Sequence, residues 1–535
     1  VSSPLLNIPE VDPGQYPFGR ALLEAYREGF DDEIVEPLVL TDPSGLHPGR
    51  IQEGDSVIFY NIRGEREIQL TRSLTDPSFG HFPIAGNLDL DFTTMIGYDP
   101  DLNVRVAFPP EEEIANTMGE VLSRAGLKQV KIGETEKEVH LSYFLSGKRM
   151  EAFPGESRRF VPSPEVENYA DHPEMSATGV AEAVMEYLGE DNVSFILANF
   201  ANADVVGHIE DRQAILDAVA AVDRELGRVI SAARRRGWTT LITADHGTVE
   251  KWYYPDGAID TGHTDSRVPL IMVPPEGEDP IPLMPKGDLT DVAPTVLSLL
   301  GLPLPREMTG KSLLDGHPSG NPRRLLMVIL DGWGLGDNPE MDLIQVADTP
   351  IWDGLRDTLP LAGLEASGEA VGLPPGTVGN SESGHLHLGA GRKVFSDRVR
   401  IDRALDDGSF FENEAFLGSM NAARERKKAL HFMGIVSFYS SHGSLPHLLA
   451  LMDMARRKGM PEVYIHSFLG RRGERPESGA AYMAGLESLA ETHDLGRVVS
   501  CIGRYWALDR EENWDRVERT YRLMVHGQGR PVKMK

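Results

Sequence analysis

The sequence has almost no cysteine. Cys501 stands alone among 535 residues, so no intrachain disulfide can form, and a secreted disulfide scaffold is excluded. No run of about 18 apolar residues occurs, the length a membrane-spanning helix needs. Basic residues are scarce beside acidic ones: 53 Lys and Arg against 82 Asp and Glu give a net charge of −29. That sign does not suit a nucleic-acid or anionic-membrane scaffold, because phosphate backbones attract a basic face. It stays compatible with a local basic pocket for a small phosphorylated substrate. Val1-Ser2-Ser3-Pro4 shows no basic stretch leading into an apolar one, so no signal peptide is visible and a cytoplasmic location is expected. A hydrophobic content of 41% and a charged content of 25% suit a folded globular chain. The length implies roughly two to four domains.

Short apolar, β-branched runs alternate with helical patterns from about Ser56 onward. Val193–Ala198, Thr239–Thr243, Val268–Val273 and Leu325–Leu330 are apolar on both faces and read as buried parallel strands. Asp211–Arg235 places Ile215, Val219, Val222, Leu226 and Ile230 on one helical stripe. Asp291–Leu300 reads as a short helix stopped by Gly301 and Pro303. A second region repeats the rhythm, with strands at His431–Val436, Glu462–Phe468 and Arg497–Ile502 and helices at Pro446–Arg457, Ser478–Leu489 and Asn513–Val525. Phe18–Gly29 and Ser56–Tyr60 add a helix and a strand near the start. The expected class is α/β, with parallel sheets covered by helices on both faces. Asp315–Arg324, polar with two glycines and two prolines, reads either as a linker or as a surface loop.

Acidic residues and histidines gather at strand ends. Asp331 follows Leu325–Leu330, and Asp245-His246-Gly247 closes Thr239–Ala244. Asp204 and His208 lie just beyond Val193–Asn199, and His263 precedes Val268–Val273. In open α/β sheets ligands bind beyond the carboxyl ends of the strands. A single Asp there is commonly a helix N-cap, and a lone His is commonly a hydrogen-bonded structural residue. Four such positions, two of them Asp/His pairs, point instead to metal. Mixed carboxylate and imidazole donors suit Mn²⁺ or Zn²⁺ better than Ca²⁺ or Mg²⁺. Six side chains exceed one tetrahedral ion and suit two ions about 4 Å apart, an arrangement that clamps a phosphoryl group. Gly379-Asn380-Ser381-Glu382-Ser383-Gly384-His385 could be a turn, or could expose a serine that a base or metal activates.

Together these segments resemble the cofactor-independent phosphoglycerate mutases of the alkaline phosphatase superfamily. The likeness is carried by Val328-Ile329-Leu330-Asp331-Gly332-Trp333-Gly334, the Gly379–His385 segment, Leu388-Gly389-Ala390-Gly391-Arg392, Ala244–Gly247, Asn202–His208, Glu134-Thr135-Glu136-Lys137, Gly503-Arg504-Tyr505 and Asp509-Arg510. The order differs from the family, in which Leu-Asp-Gly-Trp-Gly opens the chain. The resemblance therefore implies a circular permutation, with Asp315–Arg324 joining the family's usual ends. The implied domains are a large phosphatase-like unit at 107–393 and a smaller transferase-like unit made of 1–106 plus 394–535.

The resemblance also implies roles. Asp331, Ser381, Asp245 and His246 would hold one Mn²⁺, and Asp204, His208 and His263 the other, with Zn²⁺, Co²⁺ or Mg²⁺ as alternatives. Ser381 would be both ligand and nucleophile. Arg63, Arg66, Lys137, His442, Arg472, Arg504 and Arg510 would bind the substrate, because arginine forks suit phosphate and carboxylate. No 2,3-bisphosphoglycerate would be needed, and a monomer without nucleic-acid or membrane partners is implied. The expected activity is interconversion of 3- and 2-phosphoglycerate, a step of glycolysis and gluconeogenesis. The alternative is a phosphomutase or phosphohydrolase for another small phosphorylated or phosphonylated acid. Two departures bear on the choice. The family's Ser-Asp-Gly-Gly-Val-His is here Ser437-Phe438-Tyr439-Ser440-Ser441-His442, and its Phe-Leu-Asp-Gly-Arg-Asp is Phe468-Leu469-Gly470-Arg471-Arg472-Gly473. In the family the last aspartate helps hold the glycerate hydroxyl. Without it, the phosphoserine is expected to leak to water unless Arg471, Ser440 or Ser444 takes over the contact.

Overall fold

The computed structural model describes residues 7–110, 113–254, 257–316, 324–470 and 474–534. Most of the 315–324 segment, and Arg471, Arg472 and Gly473, lie outside them. The chain divides into two compact units, Val1–Pro110 with Asp397–Lys535, and Glu111–Ser396. Each is α/β and is built on an eight-stranded sheet. Among the described residues no helix is long and apolar enough to cross a membrane.

The sheet of the 111–396 unit runs Lys286–Asp288, Leu361–Glu365, Val268–Val273, Trp238–Thr243, Arg324–Leu330, Val193–Phe200, Lys128–Glu134, Glu156–Val161. Its central strands are buried along nearly their whole length, which is why they carry no alternating pattern. Helix Arg212–Arg235 covers them with the stripe from Ile215 to Ile230, and Asp211 caps it by accepting from the backbone N–H of Gln213 and Ala214. One expectation is corrected. Val268–Val273 is not parallel but runs antiparallel to both neighbours, Trp238–Thr243 and Leu361–Glu365. No crossover helix occurs in the described residues between Thr243 and Val268, so the chain re-enters the sheet from the edge it left by. That return carries Asp245, His246 and His263 along one edge of the sheet.

Helix Ser381–Ala390 lies against this edge. Asn380 caps it, accepting from the Ser383 N–H at 2.8 Å. A Cβ on Gly384 would stand 2.5 Å from the Asp245 carbonyl oxygen, so only glycine lets the helix approach the Asp245 segment this closely. His387 ties the helix to Val394, just beyond its end. The ring's Nδ1–H donates to the Ser383 carbonyl at 2.7 Å, and Nε2 accepts from the Val394 N–H at 3.0 Å. Both bonds need a neutral ring, and burial pushes its pKa down to about 4. An unfolded histidine titrates near 6.5, so the unfolded chain binds this proton first. The stability it represents is complete above about pH 6.5 and is lost as pH falls toward 4, a span of roughly 3 kcal/mol. Urea melts between pH 7 and 4 should therefore show a shallower acid loss for His387→Gln than for the parent chain.

The other sheet runs Arg530–Lys533, Leu38–Thr41, Arg497–Gly503, Val463–Leu469, Leu430–Ile435, Ser56–Phe59, Asp91–Ile96, Arg105–Phe108. All its neighbours are parallel except Leu38–Thr41 against Arg497–Gly503. Its central strands are also buried almost throughout, and helices Leu445–Arg457, Ser478–His493 and Trp514–His526 supply buried apolar faces.

Candidate active site

Four neighbouring parallel strands of the 111–396 unit end at one edge, and each hands over to site residues. Lys137 follows Lys128–Glu134, Asp204 and His208 follow Val193–Phe200, Asp331 follows Arg324–Leu330, and Asp245-His246 follow Trp238–Thr243. Ser381 opens the helix packed against this edge, and His263 lies on the antiparallel return. A cavity of ≈ 590 Å³ is lined by Lys137, His140, Asp204, His208, His263 and Ser381, among others.

The seven positions expected to hold metal come together. Asp204 Oδ1 lies 3.3 Å from His208 Nε2 and 3.2 Å from His263 Nε2. His246 Nε2 lies 3.4 Å from Asp245 Oδ2, 3.6 Å from Asp331 Oδ1 and 3.7 Å from Asp204 Oδ1. Ser381 Oγ lies 3.0 Å from His246 Nε2 and 3.4 Å from Asp331 Oδ1. The backbone sets the ring tautomers. Nδ1–H donates to the Thr261 carbonyl from His208, to the Gly379 carbonyl from His263 and to the Gly247 carbonyl from His246. Each Nε2 lone pair is thereby aimed at the carboxylates.

This donor set fits divalent metal. The Nε2 atoms of His208 and His263 face each other at 3.1 Å across Asp204, which is unfavourable for two lone pairs without a shared cation or proton. Asp204 Oδ1 and Asp245 Oδ2 are buried without a hydrogen-bond partner. Among the described residues, three overlapping groups have donor atoms within 4.8 Å of one another: Asp204, His208, His263; Asp204, His246, Asp331; and Asp245, Asp331, His385. The first is one expected ligand set. Of the other expected set, Asp331, Asp245 and His246 are spread over the remaining two, and Ser381 Oγ lies beside His246 and Asp331.

His385 was not among the candidates for metal or substrate. Its Nδ1–H donates to the Ser381 carbonyl at 2.9 Å, and the same nitrogen stands 3.2 Å from Asp245 Oδ2. Its signal was its place four residues after Ser381 on one helix. His140, which no motif in the sequence marks, also lines the cavity. Burial and the nearby His385 and Lys137 charges push its pKa down to about 3.

Lys137 penetrates further than a substrate ligand at the rim would. Its Nζ lies 2.7 Å from Asp204 Oδ2, 2.7 Å from Asp331 Oδ1 and 2.9 Å from Ser381 Oγ. Burial alone would push this ammonium down, yet Asp331, Asp204 and Asp245 hold it above the ordinary lysine range. Asp331 moves up, from burial and from the Asp245 charge beside it. Asp245 moves down against its own burial, held by His246, His385 and Lys137.

The remaining candidates lie in the other unit. Arg66 donates to the Leu508 carbonyl at 3.1 Å, and its pKa is lowered by burial and then by the charges of Arg510 and Arg504. Those three cations therefore stand near one another. Arg510 pairs with Glu65 at 2.9 Å, Arg63 with Glu65 at 3.5 Å and Arg504 with Glu33 at 2.7 Å. His442 Nδ1 donates to Glu67 at 3.2 Å. Arg472 is outside the described residues.

Comparison with known proteins gives the class first. Residues 36–304 match the metalloenzyme superfamily, and the chain belongs to it. Residues 401–535 match the family described as the BPG-independent PGAM N-terminus. The relatives are 2,3-bisphosphoglycerate-independent phosphoglycerate mutases. That of Moorella thermoacetica is 44% identical over 55% of this chain and 56% of its own length. That of Synechococcus elongatus strain PCC 7942 is 43% identical over 55% of each. The chain thus spans little more than half the length of the curated relatives it matches. Leishmania mexicana phosphoglycerate mutase, solved at low cobalt concentration, is 29% identical over 51% of this chain and 53% of its own. Its TM-score of 0.37 is too low for its architecture to bear on this one.

Proposed function

We propose that this chain interconverts 3-phosphoglycerate and 2-phosphoglycerate through a phosphoserine at Ser381. The observation that carries the reading is the setting of Ser381 Oγ, at a helix N-terminus, 2.9 Å from Lys137 Nζ and 3.0 Å from His246 Nε2, beside carboxylates and imidazoles that could hold metal. Such a terminus favours a phosphoryl group, because its free N–H groups point at the anion. Two Mn²⁺ held by Asp331, Ser381, Asp245 and His246, and by Asp204, His208 and His263, would lower the serine pKa and neutralise the phosphoryl oxygens. Lys137 adds a fixed cation beside the same oxygen. In the first half, Ser381 gives up its hydroxyl proton as the Oγ–P bond forms and the substrate O–P bond breaks, and the freed glycerate oxygen takes up a proton. In the second, the other glycerate hydroxyl gives up its proton as it attacks phosphorus, the Oγ–P bond breaks, and Ser381 Oγ takes a proton back. The clustered guanidinium groups of Arg66, Arg504 and Arg510, with Arg63, offer the forked donors that suit the acid. The reading is of a cytoplasmic monomer that needs no bisphosphoglycerate.

A circular permutation is part of the proposal. Its support is the order of the matched segments: the family segment described as an N-terminus falls at 401–535, after the metalloenzyme match at 36–304. The test is an assay of Mn²⁺-loaded protein on 3-phosphoglycerate that follows 2-phosphoglycerate and free phosphate together. Production of 2-phosphoglycerate is expected. Free phosphate alone would make the chain a hydrolase, and neither product would mean a different acid.

A further inference from the structure

We infer that Glu67 is a positioning residue that orients His442 to accept a hydrogen bond from the acid substrate's hydroxyl, in place of the aspartate that Gly473 replaces. The inference rests on the mutase reading above. Glu67 directly follows Arg66 and is wholly buried. Oε1 accepts from Asn61 Nδ2 at 2.8 Å and from His442 Nδ1 at 3.2 Å, while Oε2 accepts from the Arg66 backbone N–H at 3.1 Å. The carboxylate thus joins two segments 375 residues apart in sequence. Both are held independently. Asn61 Oδ1 accepts from the Ile435 N–H at 2.9 Å, and the His442 carbonyl accepts from the Ile62 N–H at 2.7 Å.

The consequence is chemical. With Nδ1–H committed to a carboxylate, the neutral ring keeps Nε2 as its acceptor. A hydroxyl-bearing acid needs such an acceptor, which an aspartate would otherwise supply. His442 lies between strand Leu430–Ile435 and helix Leu445–Arg457, beyond the carboxyl end of a parallel strand, where ligands of such sheets bind. Because the Arg66 N–H shares the same carboxylate, Glu67 also couples the histidine to the guanidinium cluster.

Nitrogen NMR of the ¹⁵N-histidine-labelled full chain should show His442 protonated at Nδ1, with Nε2 bare, a result that needs neither turnover nor a variant. In Glu67→Gln that preference should weaken. KM for 3-phosphoglycerate should rise roughly ten- to hundredfold, the size of one hydrogen bond to a charged group. A larger share of turnover should end as free phosphate, while Mn²⁺ affinity measured by calorimetry stays unchanged. His442→Gln should cost as much alone and add little on top of Glu67→Gln. A wild-type ring protonated at Nε2 would overturn the inference, as would a Glu67→Gln variant with unchanged tautomer and KM. So would a loss of Mn²⁺ affinity in step with activity, which marks a general structural role. If the parent chain fails to interconvert phosphoglycerates, the mutase reading falls separately. The ring spectrum and calorimetric binding of D-glycerate to the parent and Glu67→Gln chains then still decide what Glu67 does.

Discussion

Ser381→Ala is expected to lower phosphoryl transfer by roughly three or more orders of magnitude, while the fold and metal binding persist. Nucleophile removal acts on the bond-making step itself, and losses of that size are typical where a covalent intermediate is lost. The structure explains why the damage should stay local. Ser381 is the first residue of its helix, and the cap is made by the Asn380 side chain and the Ser383 N–H, neither of which the substitution touches. Lys137 keeps its two carboxylate partners at 2.7 Å. The carboxylate and imidazole donors of Asp204, His208, His263, Asp245, His246 and Asp331 remain. Thermal midpoint and Mn²⁺ stoichiometry should therefore change little, and labelled phosphate from substrate should no longer appear on the protein. Turnover within about tenfold of the parent chain would reduce the 379–385 segment to a capped turn.

The parts of this architecture that could be read from the residues are those set by local chemistry. Val193–Phe200 and Arg324–Leu330 announce themselves because burial on both faces demands unbroken apolar runs. Asp204, Asp245 and Asp331 could be placed at one edge because parallel strands end together. The direction of Val268–Val273 was not legible from its own residues, since two-sided burial looks the same either way. The clue lay in the preceding segment, which has no helical pattern to carry a crossover. Long-range pairings were less accessible still. Nothing in the spacing of Asn61–Glu67 shows that His442 will donate to it, or that Lys137 will reach across to Asp331. Such contacts depend on how strands order themselves in the sheet, and here that order interleaves distant parts of the chain. The arginine cluster shows the other limit, because single arginines look like solvated surface until burial and mutual repulsion mark them out.

Asp331→Asn should have two opposite effects, a nearly complete loss of activity and a metal-free protein at least as stable as the parent. Asp331 is fully buried and belongs to two of the three donor groups, so its neutral replacement weakens both. In the metal-free chain, however, its charge is a burden. Burial raises its pKa, and the Asp245 and Asp204 charges raise it further, with only partial relief from Lys137 and His385. A carboxyl whose folded pKa is raised costs stability wherever it is ionised in the unfolded chain, above about pH 4. Asparagine removes that cost while keeping an oxygen for Lys137 and the volume of the side chain. The gain should disappear below pH 4, where the unfolded carboxyl is protonated as well. Metal reverses the ranking. A ligand that binds only the folded state stabilises it in proportion to the logarithm of one plus its free concentration over Kd, about 2.7 kcal/mol at a hundred times Kd. The parent chain should gain a stabilisation of this kind from Mn²⁺, and Asp331→Asn should gain little. Calorimetric melts with EDTA and with Mn²⁺, at pH 7.5 and near pH 4, read all these terms together. A variant that is less stable than the parent in EDTA, yet equally stabilised by Mn²⁺, would mean that Asp331 serves packing rather than metal.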